Sequence, residues 1–240
     1  MVSMNSSRRK STEIDTFDSE DLQEAAQDFR YLLNRGYPRK PSLELVGNRY
    51  QLTFDQRHLF HRGVFSDADS KSRHKRKIPI ERIRNKDLAI DGYNVIITIE
   101  AGLSGRPLIL GDDGFIRDIS GLSGNFKKTE KTEEALQLIL DIVKRVKPLK
   151  TLFLFDSPIS MSGELAQEVR SLLKKESLLG DAKAVKVPEK ILIGYPGVIA
   201  TSDTAIIDQS KEVVDLAGDI IVQKIRSKSI IRWKRKRARC

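Results

Sequence analysis

The chain has 240 residues, of which 39% are hydrophobic and 32% charged, and its formal net charge is +10. This length suits one large domain, or a domain of about 150 residues with a smaller one, and recurring apolar segments exclude a chain that is disordered throughout. The single cysteine, Cys240, excludes an internal disulfide and a cysteine-based zinc site. No apolar run reaches the roughly 18–20 residues that cross a bilayer, and the first residues do not resemble a secretory signal. We therefore expect a cytoplasmic protein without membrane contact.

The first 65 residues predict a small helical domain. Asp18 or Ser19 can cap a helix whose apolar residues recur at helical spacing until Gly36. Thr53 can cap a further helix, which we expect to end at Gly63. The boundaries that we predict are a disordered segment over 1–12, a helical domain over 13–65, a basic linker over 66–84, an α/β domain over 85–225 and a basic tail over 226–240.

Two histidines, His58 and His61, lie three residues apart on the helix that follows Thr53, close to Asp55. Imidazoles at this spacing can share a helix face and could bind a metal. Packing, or contact with RNA, explains so small a set better than a metal site does.

Residues 85–225 alternate between strand and helix patterns. Strands are predicted at 88–102 (interrupted at DGYN), 151–156, 182–187, 197–203 and 219–225, helices at 129–146, 162–176 and 204–218, and a hairpin at 106–120. Strands separated by helices of about 12 residues indicate βαβ units and a mostly parallel sheet.

Three of the predicted strands end in an aspartate, namely Asp91, Asp156 and Asp203. Ligand sites of open parallel sheets lie at the carboxyl ends of the strands, and adjacent strands are only about 4.8 Å apart. Carboxylates gathered there repel one another unless a cation neutralises them, and oxygen ligands favour Mg²⁺ or Mn²⁺. A single aspartate of this kind is usually a helix cap or a turn residue, but three equivalent ones favour a metal site.

The segments DGYNV (91–95) and ATSDTAIID (200–208) resemble the first and third acidic motifs of the PIN-like nucleases. The resemblance spans roughly residues 85–225 and implies a three-layer α/β domain with a mostly parallel sheet, preceded here by the helical domain. It places Asp91 and Asp203 among the metal ligands and offers Asp208 as an outer ligand. The resemblance implies metal-dependent hydrolysis of phosphodiester bonds, usually in RNA. The whole architecture, with RYLLNRGYPRKPSLELVGNRYQL in its helical domain, is similar to a largely archaeal family that carries a divergent PIN-like domain.

One acidic position of that family has no obvious counterpart in this chain. Glu133 and Glu134 are available in a middle helix, although they also suit the first turn of that helix because of its dipole. The chain offers Asp156 at a strand end and Asp118 in the predicted hairpin instead, and we predict that both are metal ligands.

Two segments carry concentrated positive charge. Residues 224–240 contain nine Lys or Arg and no acidic residue, and residues 71–86 contain eight Lys or Arg against one Glu. Such density indicates a polyanionic partner, and we expect RNA, either structured or single-stranded. The predicted contacts are Lys75, Arg76, Lys77, Arg232, Trp233, Lys234, Arg235, Lys236 and Arg237. The alternatives are a solvated linker and a tail that folds back with Trp233 as a packing anchor.

The sequence thus predicts a divalent-metal-dependent ribonuclease in which Asp91, Asp156 and Asp203 hold Mg²⁺ or Mn²⁺. One alternative is an RNA-binding protein that does not catalyse a reaction. Another is a metal-dependent phosphatase, since carboxylates and Mg²⁺ serve that chemistry equally.

Overall fold

The computed structural model describes residues 19–119 and 126–234, so the segment 1–12 that was predicted to be disordered lies outside the described residues. Within the described N-terminal region the helices are α1 (Glu20–Asn34), α2 (Arg39–Arg49), α3 (Phe54–Gly63) and α4 (Asp67–Arg76). A 3₁₀ turn at Ile80–Ile83 leads from α4 into the rest of the chain.

The predicted caps of α1 and α3 are confirmed. The Ser19 hydroxyl accepts a hydrogen bond from the Leu22 amide at 3.3 Å. Thr53 and Gln56 form a reciprocal capping box, in which each side chain accepts from the other residue's backbone amide. The apolar face of α1 then packs on α3, with the Phe29 and Phe60 ring centroids 6.2 Å apart.

The predicted basic linker over 66–84 is wrong, because most of it is the helix α4. Ser66 caps this helix by accepting from the Asp69 amide at 3.1 Å. The sequence of this helix has no apolar period, because ion pairs and not apolar contacts attach it to the rest of the protein. Arg73 is buried and pairs with Asp208 at 2.7 Å. The Ile78 amide then donates to the Val213 carbonyl at 2.8 Å, which ties the segment to the sheet.

The strands are β1 (Asp87–Asp91), β2 (Leu108–Leu110), β3 (Ile116–Asp118), β4 (Lys150–Asp156), β5 (Gly180–Val185), β6 (Val198–Ala200), β7 (Val213–Val214) and β8 (Ile230–Arg232). The later helices are α5 (Gly92–Leu103), α6 (Glu130–Val146), α7 (Ser162–Lys175), α8 (Pro188–Ile193), α9 (Thr204–Gln209) and α10 (Leu216–Ile220). The main sheet has the strand order β5-β4-β1-β6-β7, and its pairs are parallel.

Helices cover both faces of this sheet. On one face, α5, α6 and α7 bury their apolar residues against Leu88, Ile90 and Phe153. On the other face, Ala89 and Leu154 pack with residues of α8 and α9. The predicted fold class, a three-layer α/β domain with a mostly parallel sheet after a helical region, is therefore confirmed.

Two predicted strands are helical instead. Residues 95–102 belong to α5, and residues 219–225 form the end of α10 and a π turn. Both segments are so apolar that their period does not separate a buried strand from a buried helix. The predicted helix over 204–218 is also divided, because β7 separates α9 from α10.

The predicted hairpin is confirmed as the antiparallel pair β2–β3, and β8 adds to it as a parallel neighbour of β2. The start of the basic tail therefore belongs to a second, three-stranded sheet. Trp233 follows β8 and is 9% exposed, with its ring edge-on to Phe60 at 5.1 Å. Gln23 holds the same segment by donating to the Arg232 carbonyl and accepting from the Lys234 amide.

Across residues 19–119 and 126–234, no helix has the length and apolar character that a bilayer span requires.

Candidate functional site

The carboxyl edge of the main sheet carries the three predicted strand-end aspartates. Asp91 is the last residue of β1, the central strand, and Asp156 is the last residue of its neighbour β4. Asp203 follows β6, the neighbour on the other side, and is the N-cap of α9. Since β4 and β6 flank β1, Asp156 and Asp203 lie on either side of Asp91.

Hydrogen bonds join the two motifs that carry the nuclease resemblance. The Thr201 hydroxyl donates to Asp91 Oδ2 at 2.8 Å. Asn94 Oδ1 accepts from both the amide and the hydroxyl of Ser202, at 2.8 and 3.0 Å. The turn after β1 and the turn after β6 are thus held in one arrangement, which fixes where the Asp91 carboxylate points.

Asp203 combines a structural role with its position at this edge. Its Oδ1 atom accepts from the amides of Ala205 and Ile206, at 2.8 and 3.1 Å. These bonds make it a helix cap, which is the alternative reading of a lone strand-end aspartate. They engage one carboxylate oxygen and set the orientation of the whole group.

The electrostatics of the edge centre on Asp91. Burial raises the pKa of Asp91, the Thr201 hydrogen bond opposes that shift, and the negative charges of Asp203, Asp156 and Glu189 add to it, which together bring the pKa to about 7. Burial, and then the charge of Glu189, raise the pKa of Asp156 above its usual range. Both pKa shifts therefore come first from the loss of water around the carboxyl groups and second from the neighbouring negative charges.

Glu189 is a member of this group that the sequence did not reveal. It lies in the first turn of α8, beside Pro188, and is exposed. An acidic residue in the first turn of a short helix is ordinarily a partner for the helix dipole. Only the position of α8 over the end of the sheet places Glu189 near Asp91 and Asp156.

The donor chemistry of the edge suits a hard divalent cation, since its side chains offer oxygen atoms. Among the described residues, however, no three His, Cys, Asp or Glu side chains are grouped closely enough to hold a metal ion. The expectation of a preassembled ligand cluster is therefore not met. Mg²⁺ fits this sparse arrangement, because it commonly binds one or two carboxylates and keeps several waters.

Asp118 and Asp208, which were predicted as metal ligands, are paired with arginines instead. Asp118 is buried in β3, accepts from Arg62 at 3.3 Å and lies 3.4 Å from the Thr98 hydroxyl. Asp208 accepts both Nε and Nη2 of Arg73, at 2.7 and 2.8 Å. A bidentate arginine already neutralises the charge that a metal ligand would need to offer.

The predicted RNA-binding residues have different surroundings. Lys75 is exposed on α4, whereas Arg76 donates to the Ser210 carbonyl and Lys77 pairs with Asp215 at 3.0 Å. These two cations therefore contribute to the fold. In the tail, Arg232 and Lys234 are exposed and Trp233 is buried, so the packing-anchor alternative describes the tryptophan correctly. Arg235, Lys236 and Arg237 lie outside the described residues.

Comparison with known proteins places the chain in a family. Residues 80–219, from the 3₁₀ turn before β1 into α10, match the model described as "Domain of unknown function (DUF5616)". The chain belongs to this family. Residues 21–76, which contain α1 to α4, match the model described as "Protein of unknown function (DUF434)".

A relative from Methanocaldococcus jannaschii, "Uncharacterized protein MJ0935", is 34% identical over 202 residues. The aligned part covers 83% of this chain and 96% of the relative, so both the helical region and the α/β domain are shared. No solved structure matches the chain.

Proposed function

We propose that the protein is a divalent-metal-dependent ribonuclease of the PIN-like type, with its site at the carboxyl edge formed by Asp91, Asp156 and Asp203. The observation that carries the proposal is the position of three aspartates at the ends of three adjacent strands, with a half-buried Asp91 in the middle, whose pKa the charges of the other two help to raise to about 7. Within the described chain, none of the ion pairs involves these three aspartates. Their charge is therefore left for a ligand to neutralise.

The chain's own residues orient this edge. Asp91 would hold a cation at the centre, with Asp156 and Asp203 on either side, and Glu189 adds negative charge from α8. The Thr201 hydroxyl and the side-chain oxygen of Asn94 form the hydrogen bonds that hold the turn after β1 against the turn after β6. A bound Mg²⁺ or Mn²⁺ would activate water and offset charge on a phosphoryl group.

RNA is the substrate that the resemblance to PIN-like nucleases and the charge of the chain favour. The net charge of +10 attracts polyanions in general. Exposed Lys75, Arg232 and Lys234 remain available for phosphate contacts, which provide affinity without reading sequence. The substrate class therefore rests on the resemblance and the charge, whereas the chemistry rests on the carboxylate edge.

The test is incubation of the full chain with labelled RNA and DNA of one sequence, with Mn²⁺, Mg²⁺ or EDTA. We expect RNA cleavage with either metal and none with EDTA. Asp91→Asn should remove most of the activity, because it deletes a ligand charge at nearly constant volume. Asp141→Asn, at an exposed position of α6, is the matched control and should retain full activity.

Equal cleavage by the wild type and Asp91→Asn would contradict the proposal, since it would indicate a contaminating nuclease. Tight RNA binding without metal-dependent cleavage would favour the non-catalytic RNA-binding alternative. Release of phosphate from monoesters, with intact RNA, would favour the phosphatase alternative.

A further inference from the structure

A cleft beside the carboxylate edge is lined by residues from both parts of the chain. The α/β domain supplies one wall and α3 of the helical region supplies the other. The lining residues are His61, Arg62, Arg117, Ser202, Asp203 and Thr204. Asp203 thus belongs at once to the strand-end carboxylates and to a cleft that contains two arginines and a histidine.

Arg117 gives this cleft a rigid floor. Its Nη1 and Nη2 atoms each donate to Asp113 at 2.8 Å, and its Nε donates to the Ser202 carbonyl at 2.7 Å. Arg117 is 2% exposed and Asp113 is fully buried. The backbone that carries Asp203 is therefore held by a buried and fully oriented guanidinium.

Arg62 is held less completely. Its Nη2 atom pairs with Asp118 at 3.3 Å, and its Nε is buried without a hydrogen-bond partner among the described residues. Its side chain is 26% exposed, so part of the guanidinium faces the cleft. Next to it, His61 is exposed and also lines the cleft.

We infer that this cleft binds a phosphate of the RNA backbone next to the phosphate at the carboxylate edge, with Arg62 and His61 as its contacts. The identity of the polyanion rests on the proposed function. A guanidinium with free donors suits phosphate oxygens better than a lysine ammonium would, because its donors form a planar fork. Asp203 is the acidic residue that lines the cleft. One oxygen of its carboxylate accepts hydrogen bonds from backbone amides at the start of α9. The phosphate is therefore placed on the α3 side of the cleft.

The helical region would then contact the substrate directly. His61 and Arg62 lie at the end of α3, within the segment that matches a separate family model, whereas Asp203 lies in the α/β domain. Substrate would then bridge the two parts of the chain.

Binding is tested with the full chain in EDTA, so that the result does not depend on cleavage. The probe is a fluorescein-labelled single-stranded RNA of about 12 nucleotides, titrated at several salt concentrations. His61→Gln and Arg62→Gln remove the proposed contacts, and Lys174→Gln, at an exposed position of α7, is the control for loss of one charge. We expect Arg62→Gln to weaken binding about tenfold, or about 1.4 kcal/mol, and to reduce the salt slope by about 0.7–0.9. His61→Gln should weaken binding about threefold, and Lys174→Gln by less than about twofold.

Arg62→Gln removes one partner of the buried Asp118, so the stability of the variant has to be measured beside its affinity. The double variant Arg62→Gln/Asp118→Asn keeps this part of the interior neutral and should bind as weakly as the single variant. Wild-type affinity in a folded double variant would overturn the inference, and so would a wild-type chain that does not bind the RNA. Weakened binding by the variants, in a protein that shows no metal-dependent cleavage, would support the cleft and reject the proposed nuclease activity.

Discussion

Two sets of aspartates in this molecule have opposite surroundings. The first set lies in the β2–β3 hairpin and in α9, and each of its members faces an arginine. The pairs are Arg30–Asp112 at 2.9 Å, Arg117–Asp113 at 2.8 Å, Arg62–Asp118 at 3.3 Å and Arg73–Asp208 at 2.7 Å. The second set is Asp91, Asp156 and Asp203 at the carboxyl edge of the sheet, and no ion pair of the described residues includes them.

The difference separates the carboxylates that pair with arginines within the fold from those that we propose as ligands of a cation. A buried carboxylate that is paired with a guanidinium keeps its charge because the partner offsets the loss of water. A half-buried carboxylate beside other anions favours its protonated form, as the raised pKa of Asp91 shows. The second arrangement opposes ionisation in the free protein, and a bound cation would favour the ionised form.

The arginines of the first set come largely from the helical region. Arg30 lies in α1, Arg62 in α3 and Arg73 in α4, and their partners lie in the α/β domain. Phe65 reinforces this junction, because the guanidinium carbons of Arg39, Arg73 and Arg117 lie 4.8, 4.5 and 5.2 Å from its ring centroid. The helical region is therefore joined to the α/β domain through buried charge, and α4, within the segment predicted as a linker, takes part in that junction through Arg73.

The largest effect is expected from breaking a pair of the first set. Arg30→Met should lower the free energy of unfolding by about 3–5 kcal/mol, because it leaves the buried Asp112 carboxylate without its bidentate partner. Arg30→Met/Asp112→Asn should recover most of that loss. Urea unfolding followed by circular dichroism measures both variants. Equal stability of the single and double variants would show that the pair does not hold this junction.

At the carboxylate edge, stability should depend on pH because the Asp91 carboxyl holds its proton more tightly in the folded chain than in the unfolded chain. The Asp91 carboxyl loses its proton near pH 3.8 in the unfolded chain and only near pH 7 in the folded chain. Between these values the folded state binds more protons, so stability falls as pH rises and levels off above pH 7. From pH 5 to pH 7 the loss in EDTA should be about 2 kcal/mol. Asp91→Asn should remove most of this slope in urea unfolding series, and an unchanged slope would exclude Asp91 as its source.

A cation should reverse that loss if the edge binds one. At pH 8, Mn²⁺ at ten times its dissociation constant should stabilise the wild type by about 1.4 kcal/mol. Asp91→Asn should gain little, and Asp208→Asn should respond like the wild type, because Asp208 is already paired with Arg73. Thermal unfolding with and without metal distinguishes the two sets. An equal response of wild type and Asp91→Asn would place any cation elsewhere.

The smallest effect on stability is expected from replacing exposed basic side chains of the tail. Arg232→Gln/Lys234→Gln changes two exposed side chains beside the buried Trp233, and its unfolding free energy should stay within about 0.5 kcal/mol of the wild type. The salt slope of RNA binding should fall by at most about 1.4–1.8, the value for two phosphate contacts. An unchanged slope would remove this part of the tail from the proposed RNA interface.

The sequence by itself determined the features that depend on neighbouring residues. Ser19 and Thr53 cap helices where their spacing indicated, the hairpin forms over its turn, and the alternation of strand and helix gives the parallel sheet. Asp91, Asp156 and Asp203 reach one edge because the first two end strands of that sheet and the third follows such a strand closely. Only local pattern is needed for such placements, since parallel strands share a direction.

The tertiary structure alone decided which charges are paired. Asp118 and Asp208 were predicted as further metal ligands, but Arg62 and Arg73 pair with them, and the Arg73–Asp208 pair spans 135 residues of sequence. The same applies to Glu189, which reaches the edge only through the position of α8, and to Trp233, which is buried only because β8 joins β2. Ion pairs and burial depend on which distant segments of the chain are in contact. The pattern of residues within one segment does not specify these contacts.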